Sequence, residues 1–392
     1  MGKQPNFFER NPKKTLIMAV IAGVLLLDIF CANAYKLKTG YSLPEKAMEE
    51  QARIEKIYRI PSAIYHHTLA ENKSIDDTRW GHKKSYVRTN SFGFRDRIVR
   101  DVPLKTGKYR VLFIGDSFTE GIGLEYKDTF VGIIDEALSK KGIETLNASA
   151  TSYSPIIYWR KLKYLIEDRG LEFNELVVFL DISDTQDEAE YYFLDEAGNV
   201  GAREIKKKKE KDLIARLKRL PDKIDDIIKD NFLFLYAAIK NSRDLIFKIT
   251  GCKKYAVNLP RGRWTIDEEL FNGFGKTGME KMELYMDKVH TLASSHNIKM
   301  TVAVYPWPDQ IMSGDLNSIH VTFWRDWCDK NNLEFINYFP YFVKGDTEKD
   351  RARILDEYFI PGDVHWNEKA HKLIANVFLC RDAINCVSTV RC

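Results

Sequence analysis

Cysteine is scarce in this chain, six residues in 392, and no two of them stand in a C-x-x-C pair. Spacing of that kind offers no metal-site signal. Cys31 belongs to an N-terminal apolar stretch, leaving Cys252, Cys328, Cys380, Cys386 and Cys392 outside it. An odd number keeps at least one thiol free or paired elsewhere. The chain has no internal repeat, and no low-complexity tract beyond Lys206–Lys209. Excess charge of one sign is missing too, since 60 basic residues face 56 acidic ones. Nine basic and three acidic residues fall in Arg203–Arg219 alone, so the remainder is about neutral. A nucleic-acid binder spreads a basic face over its fold, and that class of partner is set aside. What the chain does have is 44% hydrophobic residues, enough for a buried core, so disorder is excluded as its main state. The length allows one large domain with insertions, or two to three domains.

Lys3, Arg10, Lys13 and Lys14 precede an unbroken apolar run, Leu16–Leu27, and the apolar stretch resumes after Asp28 to reach Ala34. Such a leader directs the rest of the chain to export. Thr15–Ala34 has the length that spans a bilayer as a helix, which suits a signal anchor with its basic end in the cytoplasm. Ala32 and Ala34 also form an A-x-A cleavage pattern, which suits a removable signal peptide. The long segment ahead of the apolar run favours the anchor, and both readings place the rest of the chain outside the cytoplasm, as a membrane-anchored or secreted protein. A bacterial periplasm is the expected setting. Charge in hydrocarbon is costly, so Asp28 either pairs with a membrane partner or lies in a polar boundary; the second is the simpler expectation.

Residues 1–35 are thus the leader and 36–108 an extracytoplasmic extension, containing a polar helix over Pro44–Ile60 and an aromatic, histidine-bearing stretch with Tyr65, His66, His67, Trp80 and His82. From Tyr109 short apolar runs alternate with amphipathic stretches, the pattern of a parallel α/β sheet. Five strands are expected at Tyr109–Gly115, Glu144–Asn147, Glu175–Asp181, Lys299–Tyr305 and Leu333–Asn337, within a domain over 109–392. Ser154-Pro155 opens one intervening helix, serine as cap and proline in the first turn. More than a hundred residues separate the third and fourth strands, too many for one crossover. A helical insertion is expected at about 190–275, carried by Leu213, Ile214, Leu217, Ile224, Ile227, Ile228, Phe232–Ile239 and Leu245–Ile249. Its lysine run reads first as a solvated helix face, with anionic lipid or glycan as the alternative.

The first of these strands runs into Gly115-Asp116-Ser117-Phe118-Thr119-Glu120-Gly121. Ligands of open α/β sheets bind beyond the carboxyl ends of strands, so Ser117 stands where a nucleophile belongs. Amides at the start of the next helix can hold an oxyanion. A serine needs a base, and the base an orienting group. Pro361-Gly362-Asp363-Val364-His365-Trp366-Asn367 supplies both, because Asp363 two residues before His365 can hold the imidazole tautomer while the ring reaches Ser117. His371, one helical turn on, is expected at a helix surface or in a supporting position. Tyr305-Pro306-Trp307-Pro308 comes after the fourth strand, where aromatics suit a sugar ring or an acyl pocket, or else pack on the core.

These blocks resemble the SGNH/GDSL hydrolase superfamily over roughly Tyr109–Leu379, the insertion excepted. The resemblance implies a three-layer flavodoxin-like domain, Ser117 as nucleophile with its amide in the oxyanion hole, and no metal or organic cofactor. The Asp-x-His-Trp form is similar to the branch of cell-envelope polysaccharide O-acetyltransferases, which points to Asp363 and His365 as the rest of the triad. Asn90-Ser91-Phe92-Gly93-Phe94-Arg95-Asp96 resembles a segment that precedes the nucleophile strand in exported members. Two blocks depart from the pattern. Where the family offers a glycine amide this chain reads Asn147-Ala148-Ser149, and where it offers an asparagine this chain reads Asp181-Ile182-Ser183-Asp184. Ser149 and Ser183 become the expected donors, and a charged Asp184 pointing inward would repel an oxyanion. Asp116, Asp184, Tyr305, Trp307 and Trp366 are the candidate substrate-binding residues. The implied activity is cleavage or transfer of O-acyl groups, chiefly acetyl, on an extracytoplasmic glycan, alone or with a membrane-bound acyltransferase. The competing reading is an inactive glycan-binding or assembly subunit that keeps the fold.

Overall fold

Short runs of Val, Leu, Ile and Phe, buried on both faces, can form only the interior strands of a parallel sheet. The computed structural model, which describes residues 7–39, 43–80, 83–203, 227, 228, 230–239, 242 and 256–381, has such a sheet. Its chain divides into two compact units, Met1–Arg53 with Lys206–Cys252, and Ile54–Ile205 with Lys253–Cys392. Lys206–Lys209, Leu213, Ile214, Leu217, Ile224, Leu245–Ile249, Cys252, Cys386 and Cys392 lie outside the described residues.

The second unit opens with two antiparallel pairs, β1 (Arg59–Ser62) with β2 (His66–Leu69) and β3 (Ser74–Trp80) with β4 (Lys83–Arg88). The sheet strands β5 (Arg110–Ile114), β6 (Glu144–Asn147) and β7 (Glu175–Leu180) come next, then a small pair, β8 (Tyr192–Leu194) with β9 (Val200–Ala202), then β10 (Lys299–Val304) and β11 (Glu334–Asn337). The five-stranded order is β11-β10-β7-β5-β6, and every pairing is parallel. All residues of β5 and β7 are buried. From β5 the chain steps to β6 on one side, then returns to β7 on the other. The reversal opens a crevice beyond the carboxyl ends of β5 and β7.

Helices cover the sheet where the apolar spacing places them. Phe130–Ser139 is capped by Thr129, whose hydroxyl oxygen accepts the Gly132 N–H. Pro155–Lys163 begins at the expected proline, but Ser154 does not cap it. Glu188 does so instead, accepting from the Ile156 amide and from the Ser154 hydroxyl, both at 2.7 Å. The serine uses its proton to hold that carboxylate in place.

In the first unit, Pro12–Thr39 is one continuous helix. Pro12–Lys38 is long and apolar enough to cross a membrane. Asp28 has its partners within this same unit. It is 4% exposed and accepts the backbone N–H groups of Leu233, Phe234 and Leu235 at 2.7–2.8 Å. Residues 233–239 are helical, as is 230–231, with a break at Phe232.

Candidate active site

Gly115 is required two positions before the nucleophile, because a Cβ there would lie 2.3 Å from Thr119 Oγ1 and 3.1 Å from the Phe179 carbonyl oxygen. Ser117 starts a one-turn helix, Ser117–Glu120, that Asp116 caps by accepting the Phe118 N–H at 2.9 Å. The helix ends on Gly121, in the left-handed conformation at φ 80°. Arg95, fully enclosed, donates to the carbonyls of Glu120, Gly121 and Leu124 and so fixes the next loop. Its own loop turns at Gly93, φ +68°, where a Cβ would meet the Leu69 carbonyl oxygen at 2.1 Å. The Asn90–Asp96 segment thereby buttresses the nucleophile turn.

Ser117, Asp363 and His365 come together. His365 Nε2 lies 2.8 Å from Ser117 Oγ, and His365 Nδ1 lies 2.5 Å from Asp363 Oδ1, which also accepts the His365 backbone N–H at 3.0 Å. Nδ1 is therefore the protonated ring nitrogen and Nε2 faces the serine as acceptor. Ser117 and His365 are both buried, 6% and 8% exposed. Burial works to raise the Asp363 carboxyl, but hydrogen bonds from the His365 ring and amide and from the Trp80 indole outweigh it and leave the group below its usual range.

Trp80 is the residue that sequence reasoning missed. It ends β3 in the N-terminal extension, donates its indole N–H to Asp363 Oδ2 at 2.5 Å, and sets its ring edge-on to His365 at 5.2 Å between centroids. Nothing in the local sequence links positions 283 residues apart. Its only signal is a tryptophan ending a strand whose one other apolar residue is Ile75.

Behind the serine lie three carboxylates, Asp116, Asp181 and Asp184, with oxygens within 4.8 Å of one another. Charge alone would call for a cation or protons there. Asp116 accepts from Tyr305 OH and the Ser117 hydroxyl, Asp181 from the Trp307 indole and the Ser183 amide, and Asp184 from Tyr158 OH and the Asp181 amide. Burial, then the neighbouring Asp181 charge, pushes Asp116 well above the usual carboxylate range, and burial with both neighbours does the same to Asp184. That push favours the neutral form of Asp184, the form that repels an oxyanion least. Its Oδ1 has no partner among the described residues. The same push on Asp116 bears on the serine. The serine hydroxyl has one proton and two acceptors, Asp116 Oδ2 at 3.0 Å and His365 Nε2 at 2.8 Å, and an uncharged Asp116 competes less.

The other expected residues divide. The Ser149 amide donates to Asn147 Oδ1 and the Ser183 amide to Asp181 Oδ1, so both are occupied. Their hydroxyls and the Ser117 amide are what these residues have left to offer an oxyanion; Ser149 Oγ is buried without a partner among the described residues. Tyr305 and Trp366 are wholly buried and Trp307 nearly so, their rings packing with Phe118 beneath the serine rather than presenting a face to a sugar. His371 is not at a helix surface either. It is buried, and its Nδ1 accepts the Phe130 N–H at 3.0 Å, tying the last helix to the first crossover helix.

No family model matches this chain, and no curated protein does. Solved structures do. An acetyl xylan esterase, AlAXEase, is 14% identical with a TM-score of 0.39, the match covering 70% of this chain and 99% of that one. The psychrotrophic esterase EstA from Pseudoalteromonas sp. is 12% identical with a TM-score of 0.35, covering 71% and 100%. A lipolytic protein assigned to the G-D-S-L family, from Desulfitobacterium hafniense DCB-2, is 11% identical with a TM-score of 0.35, covering 69% and 98%. The parallel α/β architecture is read from this chain's own sheet, and its chemistry rests on its own side chains.

Proposed function

We propose that the protein is a serine esterase or acyltransferase that works on O-acyl groups, chiefly acetyl, of a glycan outside the cytoplasm. The observation that carries the reading is the continuous chain from Asp363 through His365 to Ser117, bonded at 2.5 and 2.8 Å at a strand's carboxyl end. Ser117 Oγ attacks the acyl carbonyl while His365 Nε2 takes its proton; Asp363 stabilises the imidazolium. Collapse of the tetrahedral species breaks the ester C–O bond, and His365 returns the proton to the departing sugar oxygen. The acyl group then sits on Ser117. Water releases it in a hydrolase; a second sugar hydroxyl does so in a transferase, and a membrane-bound acyltransferase could load the serine from the other direction.

The glycan and the acetyl group are inferred from the Asp363-Val364-His365-Trp366 block, and the extracytoplasmic setting from the apolar helix Pro12–Thr39 behind a basic leader. The test is acetate release by the purified full chain from acetylated xylan and from a short aryl acetate, beside Ser117→Ala. Turnover by wild type alone supports the reading. A folded protein that releases no acyl group from either ester, with or without a sugar acceptor, leaves the inactive subunit in its place.

A further inference from the structure

We propose that residues 232–239 are embedded in the membrane beside the anchor helix, with lipid acyl chains as the partner of their apolar face and Asp28 as the bond that holds them at depth. The reasoning begins with a carboxylate in the wrong solvent. In Pro12–Lys38 the middle residue is position 25, so Asp28 lies about 4–5 Å from the centre of the span at 1.5 Å per residue. A hydrocarbon core about 30 Å thick encloses that depth. A bare carboxylate there is costly, and a helix start there is costly too, since its first N–H groups have no intrahelical acceptor.

The structure sets these two costs against each other. Asp28 Oδ1 accepts the N–H of Leu233 at 2.8 Å and of Phe234 at 2.7 Å, and Oδ2 accepts that of Leu235 at 2.8 Å. The helical path breaks at Phe232, and the helix that restarts at 233 presents its unpaired amides to that carboxylate. Hydrogen bonds of this length leave no slack in depth. If Asp28 is in hydrocarbon, residues 233–235 are in it as well.

Composition agrees with that depth. Phe232-Leu233-Phe234-Leu235-Tyr236-Ala237-Ala238-Ile239 carries no charge. Phe234 is 60% exposed, in the range of Leu16 at 67% and Val24 at 60% on the anchor itself. Apolar side chains left open to this extent need a solvent of their own kind. Cleavage after Ala34 would remove Asp28 and strand the three amides, so the arrangement belongs to an uncleaved anchor.

The experiment uses the full chain in phosphatidylcholine–phosphatidylglycerol nanodiscs, its native cysteines replaced by serine, with a spin label at Phe234→Cys. Labels at Val24→Cys and Leu316→Cys serve as the lipid and water references. The expected result is a label at 234 that oxygen reaches as at 24, with collisions from an aqueous nickel chelate about tenfold or more below those at 316. Nickel access equal to that at 316 overturns the proposal, and so does shielding from both reagents, which would put the ring under protein. In Asp28→Leu, hydrogen exchange at 233–235 should accelerate at least tenfold while the anchor stays in the disc; unchanged exchange would remove Asp28 from the account. Intact mass supplies the last arm, since a mature membrane-bound protein lacking residues 1–34 would contradict it. None of these readings depends on enzymatic activity, so they stand or fall apart from the acyl-transfer reading.

Discussion

Trp80 and His365 hold the two oxygens of one carboxylate, the indole on Asp363 Oδ2 and the imidazole on Oδ1, each at 2.5 Å. The side chain of Asp363 thus has its rotation fixed from both ends, one of them supplied by a strand outside the parallel sheet. Trp80→Phe should keep the fold, since the ring edge still packs on His365, but lose a hydrogen bond to a charged acceptor. Such a bond contributes about 1.5–3 kcal/mol, so kcat should fall roughly 10- to 100-fold with KM little changed. Steady-state kinetics on one ester check this. An unaltered kcat would mean that His365 alone orients the carboxylate.

His365 and Ser117 should behave as one unit. His365→Ala should cost nearly as much in kcat/KM as Ser117→Ala, the double variant little more, and Asp363→Asn somewhat less than either. His371→Ala should spare the chemistry, because its Nδ1 is occupied by the Phe130 amide, and should show itself in stability. Losses at Ser117 and His365 that simply add in free energy would show that the two do not share a mechanism.

The protonation of Asp184 is open to an isosteric test. A carboxyl pushed toward its neutral form resembles an asparagine, whose amide oxygen can accept the Tyr158 hydroxyl equally well. Asp184→Asn should therefore change stability by about 1 kcal/mol or less. A loss of several kcal/mol, read from urea unfolding, would mean that a negative charge is held there and needed.

Glu120 sets an acid limit on the fold. Burial opposes its ionisation, but the Arg59 guanidinium, bonded at 2.6 and 2.8 Å, together with Arg95 and Thr151, holds it at about 2. A depressed carboxyl contributes stability above its unfolded value, near 4.5, and loses it as pH falls from there toward 2. The difference corresponds to about 3 kcal/mol as an order of magnitude. Glu120→Gln should lower the urea midpoint strongly at pH 7 and much less at pH 3. A gap that does not narrow on acidification would contradict the assignment.

Much of the fold was legible because its strands are written as short apolar runs. All five expected sheet strands match the observed ones to within a residue at either end. The Ser117, Asp363 and His365 positions were legible for a related reason, as strand-end and loop residues whose types carry one chemistry. Three things were not. Trp80 reaches Asp363 across 283 positions, and no local pattern encodes such a contact. The upward push on the Asp184 carboxyl was not legible, because sequence shows an acid but not its burial beside two more. Glu188 caps the Pro155–Lys163 helix in place of Ser154, since a long-range carboxylate can displace a local hydroxyl once packing brings it near.

The central claim is that Ser117 is an activated nucleophile. The most direct measurement treats the full-length protein with a fluorophosphonate and locates the adduct by mass spectrometry, beside His365→Ala. The account predicts one adduct, on the peptide carrying Gly115-Asp116-Ser117, nearly absent in the histidine variant. A folded protein that takes no label at Ser117, or takes it equally well without His365, would contradict it.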